Sequence, residues 1–220
     1  AEARDAIVSL YNLADVTNIK MSNSGTVFEY AFFGENKPTK IQSRLIGNYN
    51  LENIIAAIRA AEALGINSEF IRMGIWELPQ IPGRMEIVSR EPFTVIVDYA
   101  HTENGVSEVL STLDHVDSKA RKIVVIGCAG ERDKDRRAGI GHAVAAAANF
   151  VLLTDEDPRG EDSLEILNEI GHSIIKAGKL EGDFFEKIPD RRTAIRRAFE
   201  VAREGDIVLI AGKGHESSIE

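Results

Sequence analysis

The sequence predicts an α/β fold with a Rossmann-like, mostly parallel sheet that carries helices on both faces. Two observations lead to this prediction, the alternation of two kinds of segment along the chain and the continuous apolarity of the shorter kind. From residue 94 onward, short continuous apolar segments alternate with amphipathic segments of helical spacing. Continuous apolar segments of four or five residues are typical of parallel strands buried on both faces. The predicted strands are 94–97, 122–126, 150–153 and 207–210, and the predicted helices are 105–113, 140–148, 164–175 and 193–202.

The stretch before residue 79 has a different pattern. β-Branched and aromatic residues predict a strand over 26–33, a turn over 34–38 and a paired strand over 40–46. A helix is predicted from 47–50 onward, because apolar residues follow helical spacing at Leu51, Ile54, Ile55, Ile58, Ala61 and Leu64. Gly65 would end this helix, and Ser68 would cap a shorter helix that runs to Trp76.

A domain boundary is predicted at residues 79–83. Two prolines and a glycine in five residues form a stiff connector that does not continue a helix. The chain is therefore divided into a first segment, 1–82, and a second segment, 83–220.

Composition excludes several classes of protein. The net charge of −9 argues against a general nucleic-acid surface, which needs a basic stripe. No apolar run approaches the roughly 20 residues of a membrane span. A single cysteine, Cys128, excludes an intramolecular disulfide. We therefore expect a cytoplasmic protein without nucleic-acid or membrane partners.

Polar and glycine-rich segments follow all four predicted strands of the second segment. They are residues 98–102, 127–137, 154–162 and 211–216. The carboxyl ends of parallel strands meet at one edge of a sheet, and ligands bind beyond that edge. We therefore expect the four segments to line a single crevice.

The side chains in these segments suit a charged small molecule. Arg132 and Arg159 can pair with a carboxylate, Glu216 can hold an amino group, and Asp98 can accept ribose hydroxyls. Each also has a simpler interpretation. A single Asp or His after a strand is commonly a cap or turn residue, the basic run 132–137 a solvated helix start, and 212–214 a tight turn.

Six short motifs make the sequence resemble the Mur ligases, specifically the enzymes that add the third residue to UDP-N-acetylmuramoyl-L-alanyl-D-glutamate. In chain order they are GNYNLEN (47–53), GRME (83–86), VDYAHT (97–102), GERDK (130–134), DPR (157–159) and GKGHE (212–216). Each is weak alone, but their order and spacing extend from about residue 40 to the end of the chain.

The resemblance implies a division of the chain and a role for particular residues. Residues 1–82 would be the carboxy-terminal part of the family's central ATP-binding domain, and 83–220 the domain that binds the incoming amino acid. The ATP-binding residues would be Asn50, Asn53, Arg84, Asp98, Tyr99 and His101. The residues that bind the amino acid would be Arg132, Asp157, Arg159, Gly212 and Glu216.

The resemblance also implies a reaction. ATP phosphorylates the carboxylate of the UDP-muramoyl dipeptide, and the amine of the incoming amino acid displaces phosphate to form the amide, with Mg²⁺ as a cofactor. The phosphate-binding sequence Gly-x-x-x-x-Gly-Lys-Ser/Thr is absent from this chain. The chain also begins without Met. We therefore expect a fragment, with no catalytic or metal-binding residues of its own, that does not hydrolyse ATP alone. We also expect a monomer.

One departure from the family pattern concerns the choice of amino acid. Enzymes that select meso-diaminopimelate typically have Asp-Asn-Pro-Arg where this chain has Glu156-Asp157-Pro158-Arg159. A carboxylate at Asp157 would repel another carboxylate and attract an ammonium group, which favours L-lysine. Arg159 can still pair with the distal carboxylate of meso-diaminopimelate. For this reason meso-diaminopimelate is preferred over L-lysine as the predicted substrate.

Two alternatives remain at the level of sequence. One is another amide ligase of the same superfamily, such as a folylpolyglutamate or cyanophycin synthetase. The other is a non-catalytic module that binds an amino acid or a nucleotide. The DPR and GKGHE motifs favour the ligase that adds the third residue, whereas the missing phosphate loop would favour a binding module in a complete gene product.

Overall fold

The computed structural model describes residues 10–22 and 24–219. The chain forms two compact units, one that ends at Pro79 and one that begins at Gln80, so the division falls at the proline-rich connector. Residues 1–9 of the predicted first segment lie outside the described residues. Each unit has its own elements.

The first unit contains an antiparallel sheet of order β1-β2-β3 and two helices. A short 3-10 helix precedes the sheet. The elements are the 3-10 helix Leu13–Asp15, β1 (Val16–Ser22), β2 (Gly25–Tyr30), β3 (Thr39–Ser43), α1 (Asn48–Ala63) and α2 (Ser68–Glu77). The two predicted strands are confirmed with shorter bounds. Strand β1 was not predicted, because its side chains beyond Val16 are largely exposed and lack an apolar alternation.

Helix α1 buries one face, as its apolar spacing predicts. Leu51, Ile55 and Ile58 are fully buried, and Gly65 follows the helix with a φ of +74°, the left-handed geometry expected after a helix end. Leu64, which the pattern placed on the apolar face, is 79% exposed. The predicted cap of α2 is wrong by one residue. The side chain of Asn67 caps the helix by accepting the N–H of Glu69.

The second unit is built on a six-stranded sheet of order β4-β5-β9-β6-β7-β8. Strand β4 is antiparallel to β5, and every other neighbouring pair is parallel. The elements are β4 (Glu86–Ser89), β5 (Thr94–Asp98), α3 (Glu103–Val116), β6 (Lys122–Ile126), α4 (Asp135–Ala147), β7 (Phe150–Leu153), α5 (Ser163–Lys176), β8 (Phe185–Lys187), α6 (Arg191–Val201) and β9 (Ile207–Ala211). The predicted mostly parallel α/β sheet is confirmed.

Helices cover both faces of this sheet. On one face, Ala194 and Ala198 of α6 pack with Val125 and Val208. On the other, Gly171 of α5 lies against the side chains of Leu153 and Phe185, while α4 packs between α3 and α5. Because side chains alternate along a strand, every residue of β6 and β7 is buried by one layer or the other. This burial explains the continuous apolar segments in the sequence.

Among the described residues, no helix has both the length and the apolarity that spanning a bilayer requires.

Candidate functional site

The carboxyl ends of β5, β9, β6 and β7 lie next to one another at one edge of the second unit's sheet. The register aligns Asp98 with Ala211 and Ile126 with Leu153, so the four strands end at nearly the same level. The four polar segments therefore emerge side by side, as predicted. We call this edge, with the segments 83–85, 98–102, 127–137, 154–162 and 211–216, the rim.

Asp98 holds two rim segments together. It is only 4% exposed, and its two carboxylate oxygens accept the backbone N–H groups of Met85 and Ala100, each at 2.8 Å. The Met85 backbone has a φ of +45°, a conformation that non-glycine residues rarely adopt. The residue predicted to bind ribose therefore fixes the backbone around its own site.

Tyr99 is the centre of a cluster of rings and charges. The guanidinium of Arg84 lies over its ring at 4.4 Å from the centroid, and the His101 ring meets it edge-on at 4.8 Å. The Tyr99 hydroxyl donates to Glu216 Oε1 at 3.1 Å, and this hydrogen bond, followed by burial, raises the pKa of the hydroxyl. Three residues predicted to bind ATP thus lie together, in contact with a residue predicted to bind the amino acid.

Glycines bring the connector and the last rim segment into close contact. A Cβ on Gly83 would lie 2.3 Å from the backbone nitrogen of His215, and one on Gly214 would lie 2.8 Å from the Cβ of Tyr99. Both residues also have positive φ angles. No side chain fits at either position, which explains why glycine occurs in both GRME and GKGHE.

Lys213 lies between two acidic side chains of the rim. Its Nζ is 2.7 Å from Asp157 Oδ1 and 3.1 Å from Glu216 Oε2, and the residue is 7% exposed. Burial lowers the Lys213 pKa, but the two acidic partners outweigh it and the net shift is upward. The hydrogen bond from Lys213 to Glu216 is the main reason why the pKa of Glu216 is lowered. Lys213 is therefore a charged link between the segments after β7 and β9.

The segments after β6 and β7 are also in direct contact. The Gly130 N–H donates to the Asp157 carbonyl at 2.8 Å, and a Cβ on Gly130 would lie 2.1 Å from the Pro158 carbonyl. Arg132 and Arg159 extend from these segments, are exposed, and have no hydrogen-bond or ion-pair partner among the described residues. Arg159 has a φ of +52°. Both guanidinium groups are therefore available to a ligand.

Glu156 lies beneath Gly212. It is 8% exposed, and its Oε2 has no hydrogen-bond partner among the described residues. Burial raises the pKa of its carboxyl to about 7, against the lowering effect of nearby Arg191 and Arg136. Arg191 itself donates to the carbonyls of Asp155 and Ala211, which fixes the ends of β7 and β9.

The interpretation of residues 132–137 as a solvated helix start is wrong for Arg137. This side chain is 1% exposed and donates to both carboxylate oxygens of Glu161 and to Glu169 Oε2. It joins the start of α4 to the segment after β7 and to α5. The sequence of the basic run does not distinguish Arg137 from Arg132 and Lys134, which are exposed.

Two of the predicted ATP-binding residues belong to the first unit. Asn50 is 1% exposed, and its Nδ2 donates to the carbonyl of Ile46, while its Oδ1 has no partner among the described residues. Asn53, three residues later on α1, is exposed. They lie about one turn apart on the same helix, one buried and the other exposed.

Sequence reasoning missed Lys213 and Glu156 as site residues. Lys213 occurs inside GKGHE and Glu156 immediately precedes DPR, and each directly neighbours a residue that was predicted, Gly212 or Asp157. A signal was available for Lys213, since a lysine between two glycines after a buried strand lies where ligands bind in parallel sheets. No local pattern distinguishes a buried glutamate such as Glu156 from the exposed acidic residues that follow it.

Comparison with known proteins agrees with these motifs. The family model described as "Mur ligase, glutamate ligase domain" matches residues 83–214. The UDP-N-acetylmuramoyl-L-alanyl-D-glutamate--2,6-diaminopimelate ligase of Halalkalibacterium halodurans is 38% identical over 91% of this chain and 40% of its own length. The UDP-N-acetylmuramyl-tripeptide synthetase of Roseiflexus sp. is 44% identical over 80% of this chain and 35% of its own length.

A solved structure leads to the same group. A UDP-N-acetylmuramoyl-L-alanyl-D-glutamate--2,6-diaminopimelate ligase matches with a TM-score of 0.61 and 35% identity, over 96% of this chain and 42% of that one. The chain thus spans about two fifths of the length of these relatives. Since the family model covers more than half of the 220 residues, and includes every rim segment except the last two residues of GKGHE, the chain belongs to the Mur ligase family.

Proposed function

We propose that this chain is the carboxy-terminal part of an ATP-dependent ligase that adds meso-diaminopimelate to UDP-N-acetylmuramoyl-L-alanyl-D-glutamate in peptidoglycan synthesis. The observation that carries the proposal is the rim, where available guanidinium groups, a lysine-linked pair of carboxylates and a tyrosine–arginine cluster meet at the strand ends. The names of the relatives support the same reaction. They favour it over a folylpolyglutamate or cyanophycin synthetase and over a non-catalytic module.

The domain assignment is part of this proposal. Residues 1–82 form the end of the central ATP-binding domain, and residues 83–220 form the domain that receives the amino acid. In the longer protein, ATP contacts Asn50 and Asn53 from the first segment. From the second segment, Arg84, Asp98, Tyr99 and His101 contact ATP.

The ATP-binding roles are supported by the chemistry of the cluster around Tyr99. Arg84 offers a guanidinium to phosphate oxygens, and its stacking on Tyr99 limits the conformations that it must give up on binding. Asp98 keeps the adjacent backbone in place. His101 is held by a hydrogen bond between its Nδ1 and the Tyr99 carbonyl at 2.8 Å.

The amino-acid roles follow from charge. Arg132 and Arg159 pair with carboxylates of the incoming amino acid, and Glu216 holds an ammonium group. Asp157 and the backbone of Gly212 complete the contacts. These residues orient the amine for its attack on the acyl phosphate, which releases phosphate and a proton and forms the amide bond.

Magnesium is expected with ATP in the whole enzyme. Within residues 10–22 and 24–219, no group of three or more His, Cys, Asp or Glu side chains is arranged to hold a metal ion. Two acidic residues of the rim, Asp157 and Glu216, are paired with Lys213, and Glu216 also accepts a hydrogen bond from Tyr99. The described residues therefore do not by themselves form a metal site with three such ligands. We further propose that the whole protein acts in the cytoplasm as a monomer.

The proposal is tested with the full-length protein that contains this chain. We expect ADP release that requires both UDP-N-acetylmuramoyl-L-alanyl-D-glutamate and meso-diaminopimelate, with the tripeptide product detected by mass spectrometry. The isolated chain is the control, and we expect it to release no ADP because it lacks the phosphate loop. Release that depends on folate and glutamate instead, or on no acceptor at all, would overturn the proposal.

A further inference from the structure

The charge of Asp157 is not simply presented to an incoming ligand. The Nζ of Lys213 lies 2.7 Å from Asp157 Oδ1 and 3.1 Å from Glu216 Oε2. Both contacts involve a lysine that is 7% exposed, so water screens them less than it screens a surface ion pair. A single ammonium group thus balances part of the negative charge of two carboxylates at the centre of the proposed amino-acid site.

The remaining charged groups around this link are engaged with the protein or covered by it. Arg191 donates to two backbone carbonyls, and Arg136 donates to the carbonyl of His101. Glu156 lies buried beneath Gly212. Lys213 is therefore a cation placed to reduce the negative charge that Asp157 and Glu216 show to the ligand.

Unlike Arg191 and Arg136, two guanidinium groups of the rim are not engaged with the described part of the protein. Arg132 and Arg159 are exposed and lack partners among the described residues. Their segments are in backbone contact with each other, and Arg159 is two residues from Asp157. Because Lys213 balances part of the charge of Asp157, that carboxylate offsets these two cations less.

The two candidate amino acids differ by one group at the distal end. meso-Diaminopimelate carries a carboxylate and an ammonium there, whereas L-lysine carries the ammonium alone. We propose that Lys213 is a specificity-determining residue, which balances Asp157 so that Arg132 and Arg159 can select an amino acid with a distal carboxylate. This inference rests on the proposed function and assigns the choice of substrate to a residue outside the contacts proposed above.

The test compares variants of the full-length protein. The ratio of kcat/KM for meso-diaminopimelate to kcat/KM for L-lysine is measured for the wild type, Lys213→Met and the double variant Lys213→Met with Asp157→Asn. We expect Lys213→Met to lower the ratio at least about tenfold, because the exposed charge of Asp157 then repels the distal carboxylate. The double variant removes that charge as well and should recover most of the ratio.

Other variants keep the test decisive if Lys213→Met folds poorly. Lys213→Arg keeps the positive charge and should keep the preference for meso-diaminopimelate, whereas Asp157→Asn alone should raise the ratio. A purely structural lysine would lower both kcat/KM values equally, and that outcome, or an unchanged ratio in Lys213→Met, overturns the inference. A wild type that ligates neither amino acid removes the proposed function and this inference with it, so the two failures are distinguishable.

Discussion

The carboxylate of Asp98, at the end of β5, accepts the backbone N–H of Met85 at 2.8 Å across thirteen residues of chain. Its other oxygen accepts the N–H of Ala100. Between Met85 and Asp98 the chain forms β4 and then β5, which is antiparallel to β4. The buried side chain of Asp98 therefore closes this hairpin and sets the positions of Arg84 and Tyr99. The first prediction concerns this residue.

Asp98→Ala should lower the free energy of unfolding by roughly 3 kcal/mol, because two backbone N–H groups lose a charged acceptor in a buried setting. Denaturant unfolding of the purified chain measures the change. Asp117→Ala is the matched control, since Asp117 is exposed and accepts the single N–H of Lys119. Equal effects of the two substitutions would contradict the structural role of Asp98.

A second prediction follows from the contact between the connector and the last rim segment. Gly83→Ala should destabilise the chain by at least about 3 kcal/mol, because the new Cβ would lie 2.3 Å from the His215 nitrogen and the φ of +68° disfavours a side chain.

Gly178→Ala separates these two causes. Gly178 has a φ of +82°, but a Cβ there would meet nothing within 4 Å. Its substitution should cost only about 1 kcal/mol, from the backbone conformation alone. Thermal unfolding of both variants measures the difference, and a Gly83→Ala protein as stable as Gly178→Ala would show that the close approach is not maintained in solution.

Arg137 supports a third prediction. Arg137→Met should lower the free energy of unfolding by roughly 2 to 3 kcal/mol, because a buried guanidinium loses its charged hydrogen bonds to Glu161 and Glu169, which are themselves partly exposed. Arg197→Met is the control. Arg197 makes a similar two-point contact with Glu186, but its side chain is 40% exposed, and its loss should have little effect. A small effect at both positions, measured by urea unfolding, would show that the Arg137 cluster does not stabilise the fold.

The parts of the fold that could be predicted are those with strong periodicity. The central strands were readable because burial on both faces makes every residue apolar, as in β6 and β7. Strands β4 and β8 were missed. They are four and three residues long and lie at the sheet edges, where only partial burial is required, so no pattern marks them.

The candidate site could be predicted as a location, because parallel topology alone brings the strand ends together. The pairing within it could not. Nothing in the local sequence indicates that Lys213 contacts Asp157, 56 residues earlier, or that Arg137 turns inward while Arg132 stays exposed. These contacts depend on distances between segments that are far apart in the sequence; the segments after β6 and β7, for example, approach each other closely at Gly127 and Gly130.

The last prediction concerns pH and Glu156. Burial raises the pKa of its carboxyl from 4.5 to about 7 in the folded chain. A raised carboxyl pKa means that the folded state holds its proton more tightly than the unfolded state does. The stabilising contribution of the proton is therefore complete below about pH 4.5 and is lost as the pH rises through about 7. Arg191, Arg136 and Lys213 oppose this rise in pKa, and Asp157 adds to it.

Glu156→Gln should therefore remove the part of the pH dependence of the free energy of unfolding that comes from this carboxyl. Relative to the wild type, we expect the variant to gain stability between pH 5 and pH 8, by up to roughly 3 kcal/mol for a shift of this size. Unfolding curves of both proteins across this range measure the gain. Glu204→Gln, at an exposed carboxylate without an ion-pair partner among the described residues, is the control and should give a difference that does not vary with pH. If the Glu156→Gln difference is equally flat, the carboxyl titrates in the folded chain as it does in water, and the unpartnered Oε2 beneath Gly212 is hydrated.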